Sequence, residues 1–123
     1  MEKIYPYVTK LDIKYDHLEI IDVNQLVDEV KDKWWNQTLT KVNESVVRLG
    51  IVEGEYHWHK HDNDDEFFFC LSGQFLIDLE GQTIELNPNQ GVTIPKGVMH
   101  RPRAPQKTVI MMVETSTIMP TGD

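Results

Sequence analysis

The sequence predicts an all-β sandwich or barrel with one short helix outside it. Three observations carry that expectation. Short runs rich in β-branched and aromatic residues recur from position 45 onward. Glycine and proline punctuate them at close spacing, as in sandwiches and small barrels. Only the stretch after Asp22 carries an apolar helical period.

The first twenty residues are mixed. Within them Ile4, Tyr5, Tyr7 and Val8 suit a short strand or a packed arm. Asp22 suits a helix N-cap, and Val23, Leu26, Val27 and Val30 fall on one helical face. Gln25, three residues after Asp22, is placed to complete a capping box. The helix is expected to fade near Trp34 and Trp35. The β pattern begins with SVVRLGIVE (45–53) and EYHWHKH (55–61), the latter alternating strictly. EFFFCL (66–71) follows and stops at Ser72–Gly73. FLIDL (75–79) and Gln82–Leu86 flank Glu80–Gly81, a hairpin signal. VTI (92–94) leads into Pro95-Lys96-Gly97, with proline second and glycine fourth in a type I turn. TVIMMVE (108–114) reads as a buried strand, and the PTGD tail as a frayed end. No repeat or linker divides the chain. The expectation is one domain over 1–123, with an arm and helix in 1–40 and a barrel core in 45–114.

A chain of 123 residues can remove roughly two-thirds of its unfolded surface from water, so it needs no disulfide to fold. Cys70 is the only cysteine. That excludes an intrachain disulfide and fits a reducing compartment. No leader-like apolar segment and no run of roughly 18 apolar residues is present, so a soluble, cytoplasmic protein is expected. The net charge of −8, without a Lys/Arg cluster, argues against nucleic acid and acidic membrane surfaces as partners.

The chemistry is concentrated in two stretches. In a strand, residues two apart share a face. His57, His59 and His61 should therefore point one way, and Tyr56, Trp58 and Lys60 the other. Imidazoles converging inside a barrel offer neutral nitrogen ligands to a divalent metal. The acidic turn Asp62–Asp65 reverses the chain and delivers Glu66, a carboxylate ligand. The second stretch, Pro95-Lys-Gly97-Val-Met-His100, has a turn that could aim His100 back toward the first.

These residues carry a resemblance. His59-x-His61-x4-Glu66-x6-Gly73 resembles the first cupin motif, and Pro95-x-Gly97-x2-His100 the second. The pattern spans residues 45–114. With WWNQTL and the PTGD tail, the whole chain resembles a group of small bacterial cupins often labelled phosphomannose-isomerase-like. The resemblance implies a double-stranded β-helix, the cupin jelly-roll barrel, built from two antiparallel sheets with the helix packed outside. It implies a homodimer through edge strands and a small-molecule ligand in the barrel. It places metal ligands on His59, His61, Glu66 and His100, with one divalent ion per chain: Fe, Mn, Ni, Co or Zn. Some family positions differ here. Glycines fall on Glu53–Gly54 with one residue missing and on Asn89, and an asparagine falls on Ala104. These concern turn geometry and polar support, and no ligand position is lost.

Beside the four ligands, His57 is a candidate base or substrate contact on the inner face. Arg101 and Arg103 suit carboxylate or phosphate recognition at the barrel mouth, or else surface ion pairs. Asp62, Asp64 and Asp65 read as a solvated loop, and Phe67, Phe68 and Phe69 as packing. Trp34 and Trp35 would cover a barrel end or a subunit contact. Cys70 reads as an inert buried thiol on the same face as Glu66 and Phe68. Two functions follow. One is a metal-dependent enzyme of dioxygenase or sugar/uronate isomerase type acting on a small polar molecule. The other is a non-catalytic metal- or small-ligand-binding or sensing module.

Overall fold

The computed structural model describes residues 5–123, so Ile4 of the expected arm lies outside the described residues. Eight strands and one helix follow in order: β1 (Val8–Lys10), α1 (Val23–Glu29), β2 (Trp34–Val42), β3 (Ser45–Glu55), β4 (Glu66–Ser72), β5 (Phe75–Leu79), β6 (Gln82–Leu86), β7 (Gln90–Ile94) and β8 (Arg101–Thr115). Strand neighbours run β1-β2-β3-β8-β4-β7, with β5 bonded to both β6 and β8. Every pairing is antiparallel except the short β1–β2 pair. The expected two sheets are thus joined through shared strands, and the ladder curls without closing into a ring.

β8 is the spine of this arrangement. One edge pairs with β3 from Ser45↔Thr115 to Glu55↔Arg103. The other edge pairs with β5 at Arg101–Arg103 and with β4 at Val109–Val113. It starts earlier than the expected 108–114 because Pro105, Gln106 and Lys107 bulge outward, exposed, where the β3 register shifts between Val52 and Gly54. A bulge is where a strand tolerates proline. Gly73, at φ +85°, lets the chain turn tightly against Thr108, where a Cβ would stand 2.5 Å from Oγ1.

Two apolar clusters flank the sheet. The interior one contains Trp34, Val52, Tyr56, Phe68, Phe75, Ile77, Ile110 and Met112. The outer one joins Trp35, Leu39, Leu49 and Ile51 to Leu26, Val23, Val27 and Val30 of the helix face. Asp22 caps the helix by accepting from the Gln25 amide at 3.1 Å. The capping box is only half made, because the Gln25 side chain turns to Glu29 instead.

Four expectations change. The helix ends at Glu29, and Trp34–Trp35 open a strand. Their adjacent bulk arises because β2 is buried on both faces, with Trp34 inside and Trp35 under the helix. The turn after β7 runs one residue later than expected. Val98 N bonds Pro95 O, and Gly97 holds φ +81° at the third position, where a type II turn needs it. The strict alternation of 55–61 fails. β3 ends at Glu55 after the bulge at Gly54 (φ +107°), which puts Tyr56 into the interior. The tail is packed rather than frayed. Ile118 and Pro120 are buried, Asp123 N bonds Lys60 O at 2.9 Å, and Asp62 N bonds Asp123 Oδ2 at 2.6 Å. The 80–81 hairpin stands as expected, from Phe75↔Leu86 to Leu79↔Gln82.

Candidate metal centre

Backbone pairing assembles the site before any side chain contributes. His59 and His100 form an isolated antiparallel bridge, each amide donating to the other's carbonyl at 3.0 and 2.9 Å. The Gly97 amide donates to His61 O at 2.7 Å, and the Lys96 amide to Asp65 Oδ1 at 2.9 Å. Residues 96–100 are therefore stitched to residues 59–65 at three places. Glu66 opens β4 opposite Ile94. One ligand atom from each of His59, His61, Glu66 and His100 lies within 4.8 Å of the others, and all four residues are buried.

The donor set fits a metal. Ligand atoms about 2.0–2.2 Å from one ion stand roughly 3–4.4 Å apart, so little adjustment is needed. His59 Nδ1 donates to His57 O at 3.0 Å, and His100 Nδ1 to Val98 O at 2.9 Å. Because a carbonyl only accepts, these bonds put the proton on Nδ1 and leave Nε2 as a lone-pair donor. His61 Nε2, Glu66 Oε1 and His100 Nε2 are buried with no aligned hydrogen-bond partner. Glu66 Oε1 sits 3.4 Å from both imidazole nitrogens. Buried polar atoms are ordinarily satisfied. Several orphans converging on one point call for a shared partner, and a cation would supply it.

Protonation states agree with that reading. Burial, with His100 nearby, lowers His59 to about 4, so it is neutral near pH 7. Burial opposes ionisation of Glu66, yet the close approach of His100, His61 and Glu114 holds its carboxyl below the usual range. Glu114 moves the opposite way. Burial and the charge of Glu66 push it well up, against the pull of Arg48. Arg48 Nε lies 2.7 Å from Glu114 Oε1, both side chains almost fully buried. Arg48 is thus the buried cation beside Glu114, next to the Glu66 end of the cluster.

A narrow cavity of about 30 Å³ adjoins the cluster, with His59 and Glu66 in its wall. Trp34, Tyr56, Phe68, Phe75, Ile110 and Met112 make most of the remainder, and Pro120 of the C-terminal segment closes part of it. Asn36 adds a polar side chain there, and the Tyr56 hydroxyl is engaged by Pro120 O. Gly50 leaves room, since a Cβ would stand 2.8 Å from Ile110 Cγ1.

His57 stands outside the cluster. It is half-buried, its Nε2 donates to Thr121 O at 2.6 Å, and its Nδ1 accepts from Tyr7 OH at 3.3 Å. It stacks on Tyr5 and Tyr56 at centroid distances of 4.2 and 4.5 Å. Arg101 is also elsewhere. Its Nε and Nη2 reach Asp78 Oδ2 at 3.0 and 2.9 Å, while Arg103 bonds both oxygens of the same carboxylate. Thr83 adds a bond at 2.7 Å, and Arg101 lies over Trp58. The acidic loop is more engaged than expected, with Thr115 donating to Asp64 and Lys96 to Asp65. Trp34 and Trp35 are core residues and not a cover for the barrel end.

Sequence reasoning missed Asn36, Arg48, Tyr56 and Glu114. The available signal was a polar residue at inward strand parity. Continuing the β4–β8 register past Phe67↔Val113 sets Glu66 opposite Glu114.

The cupin domain family model matches residues 46–116. A protein of Bacillus subtilis (strain 168), Uncharacterized protein YdbB, is 42% identical over 90 residues, which are 72% of this chain and 80% of that one. Quercetin 2,3-dioxygenase of the same organism is 38% identical over 42 residues, 34% of this chain but 12% of that protein. The crystal structure of a cupin-2 domain containing protein from Shewanella frigidimarina superposes with a TM-score of 0.74 at 32% identity, covering 78% of this chain and 94% of that one. With the family pattern spanning more than half its length and the barrel built as described, the chain belongs to the cupin family.

Proposed function

We propose that this cupin is a metal-dependent enzyme that acts on a small molecule in the barrel, with His59, His61, Glu66 and His100 holding one divalent ion. The carrying observation is the convergence of their buried donor atoms within 4.8 Å. A bound Fe, Mn, Ni, Co or Zn ion would act there as a Lewis acid or, if redox-active, as the partner of dioxygen. The protein's own contribution is orientation and exclusion of water. The Nδ1–carbonyl bonds aim two imidazoles, Glu66 supplies the anionic donor, and aromatic side chains line much of the cavity.

Of the two reaction types, oxygenase chemistry is better supported than sugar or uronate isomerisation. A polyol buried against Trp34, Phe68 and Phe75 would leave most of its hydroxyls unpaired, which is costly. The short likeness to a quercetin dioxygenase points the same way for the motif region. The occupied ring nitrogens of His57 support a tie between chain segments over a role as base. The shared carboxylate of Asp78 likewise supports Arg101 as an ion-pair residue. We also propose a homodimer, since open sheet edges need covering; sedimentation equilibrium gives its mass directly.

The test is elemental analysis of protein produced without an affinity tag. Wild type should carry about one equivalent of a transition metal, and a His59→Ala/His100→Ala variant almost none. Equal, low metal in both would sink the metal reading. Oxygen consumption with iron-loaded protein and candidate substrates then separates oxygenase from isomerase. Metal-loaded protein inert in both assays would leave a binding module.

A further inference from the structure

The cavity beside the four-residue cluster has a volume of about 30 Å³, room for about one water. A small molecule acting at the cluster needs more space, so part of the wall has to move. The origin of the lining shows which part. Most of it comes from β2, β3, β4, β5 and β8, which belong to one hydrogen-bonded sheet. Tyr56 and His59 lie outside the strands but are held by backbone, the Tyr56 amide donating to Pro102 O at 2.9 Å and His59 bridged to His100. The remaining lining residue is Pro120, and the segment carrying it, residues 119–123, lies outside every described strand.

The attachments of that segment are concentrated in one place. The hydrogen bonds tying it to the rest of the described chain all fall on residues 56–62. Tyr56 OH donates to Pro120 O at 3.3 Å and His57 Nε2 to Thr121 O at 2.6 Å. The Asp123 amide donates to Lys60 O at 2.9 Å, and the Asp62 amide to Asp123 Oδ2 at 2.6 Å. Breaking these four bonds frees the segment without opening a strand ladder. Its fixed end is Ile118, buried and with its amide donating to Thr115 O at 3.2 Å, whereas Met119 is exposed. The same segment also covers the cluster, since a Cβ on Gly122 would stand 2.7 Å from His59 Cβ.

We propose that residues 119–123 are a gate that swings out about the Ile118–Met119 junction to admit a small molecule to the four-residue cluster, while the eight strands stay in place. This rests on the metal reading above. The closed arrangement is the resting one and keeps bulk water from the cluster. Ligands bind the open arrangement, so access and affinity are both reduced by the fraction of molecules that is open.

The test is stopped-flow absorption of imidazole binding to the Co²⁺-loaded protein, with cobalt measured on every sample. A chain ending at Ile118 should bind imidazole at least about tenfold faster than wild type at the same concentration, with cobalt content unchanged. Asp123→Ala removes the carboxylate that accepts from the Asp62 amide and should speed binding several-fold. It carries the comparison if the shortened chain fails to fold. Amide hydrogen exchange of the metal-free protein gives a reading that needs no metal. The Asp62 amide, held by Asp123, should exchange at least about 100-fold faster than the paired amides of β3 and β8. Equal imidazole rates in wild type and the variants, or an Asp62 amide as protected as those of β3 and β8, each overturns the gate. A wild-type chain that takes up no cobalt overturns the metal reading, and the exchange result then decides the gate alone.

Discussion

Two clusters of charged and polar side chains lie on this barrel, and they are finished differently. Around Asp78, five hydrogen bonds from Arg101, Arg103 and Thr83 fill both carboxylate oxygens. Around Glu66, the histidines approach but leave Nε2 of His61, Nε2 of His100 and Oε1 of Glu66 without aligned partners. The saturated cluster ties β5 to β8 and asks for nothing more. The open one keeps its donor atoms directed at one point. Whether lone pairs are used or left over separates a structural cluster from a binding site, and the number of charges does not.

Substitutions at the two places should therefore part in kind. Glu66→Gln keeps shape and burial but removes the anionic donor; metal affinity should fall at least about 100-fold in a competition titration with little change in the apo fold. Arg48→Met leaves Glu66 and Glu114 without their cation and should cost about 3–5 kcal/mol in urea unfolding of the metal-free protein. A smaller loss would show that Glu114 is protonated and needs little from Arg48. Asp78→Asn should cost about 1–3 kcal/mol while metal content stays unchanged; loss of metal would join the two clusters. Asp78 also gives a pH signature. Hydrogen bonding from Arg103 holds its carboxyl below the usual range against the effect of burial. Its folded pKa is depressed, so its contribution is complete at neutral pH and is lost as pH falls below about 4. The stability gap between wild type and Asp78→Asn should close over that interval. The smallest effect is expected at Gly122, φ +104°, where a Cβ would stand 2.7 Å from His59 Cβ. Gly122→Ala should lower stability by about 1 kcal/mol and weaken metal binding a few-fold, because only the open cluster depends on where His59 sits.

The legibility of these two clusters in the sequence differed as well. His59, His61, Glu66 and His100 could be grouped because short spacings and local turns set their positions, and family motifs coincide with them. Strands β3 to β8 were readable for similar reasons, since hairpin turns and β-branched runs are local signals, whereas β2 was not read and 55–61 was read as a strand it does not form. Arg48, Glu114 and Asn36 could not be grouped, because only the register of β2, β3, β8 and β4 brings them to one interior. Tyr56 was assigned to the wrong face because β3 ends at Glu55, just past the register shift at Gly54, so the alternation of the histidine stretch does not extend back to it. The tryptophan pair looked like a helix end because a strand buried on both faces loses its alternation. Arg101 and Arg103 were visible as a pair, but their shared carboxylate on β5 was not.

The segment from Ile118 to Asp123 crosses the histidine stretch through Tyr56 OH–Pro120 O, His57 Nε2–Thr121 O and Asp123 N–Lys60 O, and it places Pro120 in the cavity wall. Cavity size is thereby set partly by residues that contribute no donor atom to the cluster. Variation at Met119, Pro120 or Thr121 could widen or narrow the barrel while the four donors stay in place. In evolutionary terms, such a barrel can change its clientele by editing a strap and leave its chemistry intact.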